Sequence, residues 1–152
     1  MTPPVVMKVI RSPETAVHFV TLLEEMPVQE TVDGIADLRE IGLPVGGLMV
    51  NMVRQPILSD DDLSAALADE LDVEAIRMGV KAAGLEDGAA EIARALADEA
   101  GDHARRSSLQ EREMAELSDV GVPQYELPLL SDGMDLAGLY EFAEELRKQG
   151  AA

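Results

Sequence analysis

Asn51 is the residue of this chain whose setting asks most plainly for chemistry. It lies in an apolar run, Gly46-Gly47-Leu48-Met49-Val50-Asn51-Met52-Val53. An amide among such neighbours needs hydrogen-bond partners, and either a loop backbone or the edge of a base could supply them. Glu24 and Glu25 follow a second apolar run, Val17–Leu23. If that run is a strand of an open α/β sheet, the two acids stand at its carboxyl end, where ligands collect; they also suit a solvated loop. His18 sits inside the same run and reads as a satisfied core residue. His103 lies among polar residues and reads as solvated, and no metal-ligand spacing links either imidazole to acids. Asp60-Asp61-Asp62 reads as the start of a helix, with its acids at the positive end of the dipole.

What is missing bears on the same question. The chain contains no GxxxxGK[ST] loop, no GxGxxG, no nucleophile elbow and no lysine in a glycine-rich turn. Gly42-Leu43-Pro44-Val45-Gly46-Gly47 has glycines but no lysine, and it precedes a strand instead of following one. It will not cradle phosphates, so this chain alone is not expected to hydrolyse a nucleotide.

The elements that must position these residues can be read from periodicity. Val17–Leu23 is rich in β-branched and aromatic residues and too short for a buried helix, so it reads as an interior strand. From Val28 to Ile41 the apolar positions Val28, Val32, Ile35, Ala36, Leu38 and Ile41 mark one face of a helix, which Gly42 and Pro44 end. The run at Gly46–Val53 then completes a strand–helix–strand crossover, which implies parallel strands. Helices follow at Asp62–Leu71 and Val73–Ala83, the latter stopped by Gly84. A longer helical region extends from Asp87 to about Leu117, apolar in its first half and mostly polar in its second, with Gly101 a point of interruption. Leu63, Leu67, Leu71, Ile76, Val80, Ile92 and Leu96 are expected to close a small helical core. Gln124–Leu127 reads as a third strand, Pro128–Asp135 as a loop, and Leu136–Lys148 as a final amphipathic helix. Val5–Ile10 reads as the end of a helix.

The fold class expected is therefore α/β, with a partial, doubly wound parallel sheet and a helical insertion. Residues 1–152 form one partial domain: a strand–helix–strand unit at 16–53, the helical insertion at 59–118, and the last strand, loop and terminal helix at 122–149. Three strands are few for a parallel sheet that must be covered on both faces.

Whole-chain numbers narrow the class of function. The 152 residues are 47% apolar, enough for a core, but only 3% aromatic, so that core is aliphatic. A formal charge of −18 repels a phosphate backbone, which excludes nucleic acid as the expected partner. The absence of cysteine removes disulfides, thiol catalysis and cysteine-ligated zinc, and agrees with a cytoplasmic location. No run approaches the length of a membrane span.

Three segments together resemble the carboxyl-terminal half of the ArsA-like anion-transporting and tail-anchored-protein-targeting ATPases, in their actinobacterial form. They are the stretch Phe19-Val20-Thr21-Leu22-Leu23-Glu24-Glu25-Met26-Pro27-Val28-Gln29-Glu30-Thr31, the strand Leu48-Met49-Val50-Asn51, and Leu127-Pro128-Leu129-Leu130 followed by Gly138-Leu139. The resemblance implies a P-loop NTPase-like sheet represented by its carboxyl half. It implies that Asn51 contacts the adenine of ATP, that Pro128, Leu129 and Leu130 wrap the base, and that Glu24 approaches nucleotide across a dimer. It assigns the phosphate-binding loop and the magnesium ligands to an amino-terminal half that this chain lacks. The implied partners are that half or another ATPase subunit, in a homo- or heterodimer. The rival reading is a non-catalytic α/β interaction domain that pairs with a partner chain. On the first reading Asn51 and Pro128 meet in space, because carboxyl ends of parallel strands open on one edge.

Overall fold

The apolar runs become strands, and the periodic stretches between them become helices. The computed structural model describes residues 4–130 and 133–151. Ser131 and Asp132 of the predicted loop lie outside them, as do residues 1–3. The order is α1 (Pro4–Ile10), β1 (Val17–Thr21), α2 (Glu25–Glu40), β2 (Val45–Val53), α3 (Asp60–Leu67), α4 (Val73–Ala82), α5 (Ala89–Ser118), β3 (Gln124–Pro128) and α6 (Leu136–Lys148). The three strands form one sheet in the order β1-β2-β3, parallel throughout, as the crossover pattern predicts.

The chain divides into two compact units. The first, Met1–Gln55 with Gln110–Ala152, holds the sheet. Register partners share a face, so Phe19, Leu48 and Gln124 point to one side, as do Thr21, Val50 and Glu126. This side is closed by α2 and the last turns of α5: Leu23, Val28, Leu48, Val50, Val53 and Leu117 form a core, with Phe19, Val32, Met114 and Val122 packed around it. Val28, Leu48, Val50 and Leu117 are wholly buried. At about 1.5–3 kcal/mol for each such side chain, this cluster is the main store of stability in the unit.

The opposite face carries Val20, Met49 and Tyr125, also a register row. Val20 is 68% exposed, and Met49 and Tyr125 are half-buried. An apolar run alone predicted a strand covered on both sides; β1 is instead an edge strand with one face open. His18 shares that outcome. It is exposed, with its ring lying over the bare backbone of Gly46 and Gly47, rather than in the core.

α2 begins at Glu25, earlier than the apolar stripe suggested, because Pro27 in the first turn removes only an N–H that has no helical partner. Gly42 then ends it at a φ of +72°. α5 is one continuous 30-residue helix, and Gly101 does not interrupt it. Glu113, on the stretch read as polar, is buried and held by the exposed Arg112, whose Nη2 lies 2.9 Å from Glu113 Oε1.

The second unit is Pro56–Leu109. Ser59 caps α3 by accepting the N–H of Asp62, so the three aspartates fill the first turn as expected. Its buried apolar residues are mostly small: Ala66, Val80, Ala89, Ala93 and Ala104. The expected stripe is only partly enclosed, since Leu67 and Leu96 are 50% and 48% exposed. The spacing identified the right faces, but helices packed on alanine leave the longer side chains at the rim.

Candidate functional site

The predicted site residues all depend on one edge of the sheet, formed by the carboxyl ends of three parallel strands. β1 runs through Thr21 and Leu23 to Glu24, which occupies the N-cap of α2 in an extended conformation. Its carboxylate makes no capping bond and is exposed. β2 ends at Val53, which is the register partner of Pro128 in β3. The Leu129 N–H donates to the Val53 carbonyl at 3.0 Å, carrying the pairing one residue past the strand. Glu24 therefore stands on one side of the β2 terminus, and Pro128, Leu129 and Leu130 stand on the other.

Asn51 sits inside an irregularity that the sequence did not announce. Val50 pairs with Glu126 and Val53 with Pro128, so Asn51 and Met52 together oppose Leu127. That is a β-bulge, and Met52 takes a left-handed φ of +58° to make it. Asn51 Oδ1 accepts the Met52 N–H at 2.9 Å. The amide orientation follows from chemistry, since a backbone N–H cannot donate to an NH2 group. Among the described residues no hydrogen bond engages Asn51 Nδ2. Alternation from Met49 puts the half-buried Asn51 on the open face of the sheet, with two donors unspent.

Asn51 and Pro128 thus share an edge about one register step apart, Asn51 on the open face and Pro128 on the side of its core-facing partner Val53. They do not share a cavity. A cavity of about 390 Å³ beside Pro128 is lined by Val53, Gln55, Glu126, Glu145 and Gln149 as well. Two carboxylates and no cation make it unsuited to phosphate. Gln149 is already engaged: its Oε1 accepts the Glu126 N–H at 2.7 Å, and its Nε2 donates to the Glu126 carbonyl at 2.8 Å. This amide takes the place of a neighbouring strand and closes the outer edge of β3.

Gln110 does the same just past β2, accepting the Arg54 N–H at 3.0 Å and donating to the Arg54 carbonyl at 3.1 Å. Neither glutamine was singled out from sequence, and a glutamine on a polar helix face carries no signal of such a role. His103 reverses its expected setting. It is 8% exposed, and its Nε2 accepts the Ile57 N–H at 3.3 Å. In the helical unit a cavity of about 540 Å³ runs along α5 past Arg94, Asp98 and Arg105, with Asp69 opposite, so its charges balance. Among the described residues no cluster of three or more acids or histidines could hold a metal ion. No helix among them is long and apolar enough to cross a membrane.

No protein-family model matches the chain. Over 145 residues, 95% of its length, it is 40% identical to ATPase BagA of Mycobacterium tuberculosis. It is equally similar to a Mycobacterium bovis protein whose provisional name also makes it an ATPase. The match covers 42% of each, so the chain spans less than half the length of the curated relatives it matches. The chain is a relative of proteins named as ATPases, similar to them along nearly all of its own length.

Proposed function

We propose that this chain is the adenine-side half of an ArsA-like ATPase, which binds the base of ATP and depends on another half for the phosphates and for Mg²⁺. The observation that carries the reading is the parallel register that brings Glu24, Asn51 and Pro128–Leu130 to one carboxyl edge. Asn51 fits a purine edge. Its carbonyl is anchored to Met52 and keeps a second lone pair, while its NH2 group has no partner among the described residues. Pro128 offers a rigid apolar wall with little ordering cost, and Leu129 and Leu130 extend it. ATP would bring the cleavable phosphoanhydride. The residues of this chain orient its base, and Glu24 is left free to meet nucleotide or a partner subunit across a dimer.

The open face and open edge of β1 support the same division of labour. Parallel sheets are normally covered on both sides, yet Val20 is 68% exposed. The β3 edge is closed by Gln149, whereas among the described residues β1 pairs with β2 alone. The partner this surface suits is an amino-terminal P-loop half, supplied by the same longer polypeptide or by another subunit in the cytoplasm. The same open face favours a second reading, a non-catalytic interaction domain that uses the fold only for pairing.

Titration of the ¹⁵N-labelled chain with ATP separates the two. Base binding without phosphate contacts is weak, at around millimolar Kd, because the charge-assisted bonds are missing. It should shift the amides of Asn51, Met52, Leu129 and Leu130, and Asn51→Ala should abolish those shifts. In a longer ATPase carrying this half, the same change should weaken ATP binding by about 1–3 kcal/mol, the usual result of leaving a buried polar partner unpaired. Shifts confined to other parts of the chain, unaffected by Asn51→Ala, would refute the adenine site and leave the interaction domain.

A further inference from the structure

We propose that His103 is a pH-sensitive latch on the connector that leads from β2 into the helical unit. The imidazole is 8% exposed and its Nε2 accepts the backbone N–H of Ile57 at 3.3 Å. A ring nitrogen accepts only with its lone pair free, so the bond requires a neutral ring with its proton on Nδ1. Beyond Arg54, whose main chain Gln110 holds, the connector has little else to fix it before α3. Residues 54–57 have no regular structure, Pro56 has no N–H, and the Ile57 side chain is 80% exposed. Among the described residues the His103 bond is the one that the Ile57 N–H makes. The next fixed point is Ser59, the cap of α3.

The charged groups around the latch are accounted for mainly by each other. On α5, Glu99 and Arg106 stand one turn to either side of His103 and pair at 2.8 Å, while Asp102 pairs with Arg105 at 2.5 Å. The first turn of α3 brings Asp60, Asp61 and Asp62, the last of them bonded by the Ser59 hydroxyl at 2.7 Å. Carboxylates and guanidinia keep their charges between about pH 5 and 8, where an imidazole changes its own. A proton on His103 removes the acceptor and puts a charge in a buried position. The bond is therefore present while the ring is neutral and is lost when the ring takes a proton. The latch is independent of the nucleotide reading and concerns the connector and α5 alone.

The chain has only two histidines, so both ring titrations can be followed by NMR in the intact protein. Amide exchange at Ile57, corrected for its intrinsic pH dependence, reads the latch. Measured at pH 8 and pH 5, protection should fall about tenfold wherever the ring signals show His103 to have taken a proton. His103→Gln keeps an acceptor that does not titrate and should hold protection at both pH values; His103→Phe should lose it at both. Constant protection in the unaltered chain while the His103 ring titrates would overturn the proposal. So would a His103→Gln chain that keeps the full pH dependence.

Discussion

The bulge at Asn51–Met52 makes a prediction that runs against the ordinary behaviour of a strand. Within a regular strand, glycine is less stable than alanine by roughly 0.5–1 kcal/mol, because glycine loses more backbone freedom on folding. Met52 has a φ of +58°, where any Cβ crowds the following carbonyl at about 1–2 kcal/mol and glycine does not. Met52→Ala and Met52→Gly both remove the same half-exposed thioether side chain, so the loss of burial cancels between them. The difference isolates the backbone: the left-handed term less the entropic one leaves glycine ahead by about 0.5–1 kcal/mol. Val20, 68% exposed in the regular strand β1, is the control, and there alanine should win by a similar amount. Urea denaturation of the four variants, monitored by circular dichroism at a common m-value, gives the comparison. If alanine at 52 is as stable as glycine or more so, the bulge does not exist as described. The orientation of Asn51 would then have to be derived anew.

Two further outcomes concern an edge amide and a pair of helical glycines. Gln149→Ala removes two hydrogen bonds to Glu126 and reopens the β3 edge. It should lower stability by about 1–2 kcal/mol and raise concentration-dependent association in sedimentation measurements. The helical glycines Gly79 and Gly34 should differ: a Cβ at Gly79 meets nothing within 4 Å, whereas one at Gly34 would lie 2.9 Å from the Phe19 ring. Gly79→Ala should raise the thermal midpoint through about 0.5–1 kcal/mol of helix propensity, and Gly34→Ala should gain nothing or lose stability.

What could be read from the sequence was what repeats. Strand against helix followed from the change of period between Val17–Leu23 and Val28–Ile41, and parallel pairing followed from the helix between two apolar runs. Stops at Gly42 and Gly84 were legible because each takes a φ that other residues avoid, +72° and +86° respectively. That Asn51 and Pro128 share an edge also followed from these rules, since parallel strands send their carboxyl ends the same way. Exposure was read less well. His18 and Val20 belong to a run indistinguishable by composition from a buried strand, and an edge strand with one open face has no separate signature in a single sequence.

The residues that reading missed share a physical cause. Gln110, Gln149 and His103 each act on a main-chain group 23 to 56 positions away in sequence, through one or two hydrogen bonds. Such bonds depend on where a distant backbone arrives, and local periodicity contains nothing about that. All three lie on helix faces or ends rich in charge, where a polar side chain is expected to meet water. The bulge is harder still, because methionine is a poor choice for a left-handed position and points away from one. Its support comes from the neighbouring Asn51, which accepts the Met52 N–H, and from Leu129, which bonds to Val53 beyond it. An irregularity held on both sides is a fixed feature of the edge. It also explains how an asparagine in an apolar strand can anchor its carbonyl and still turn its donors outward.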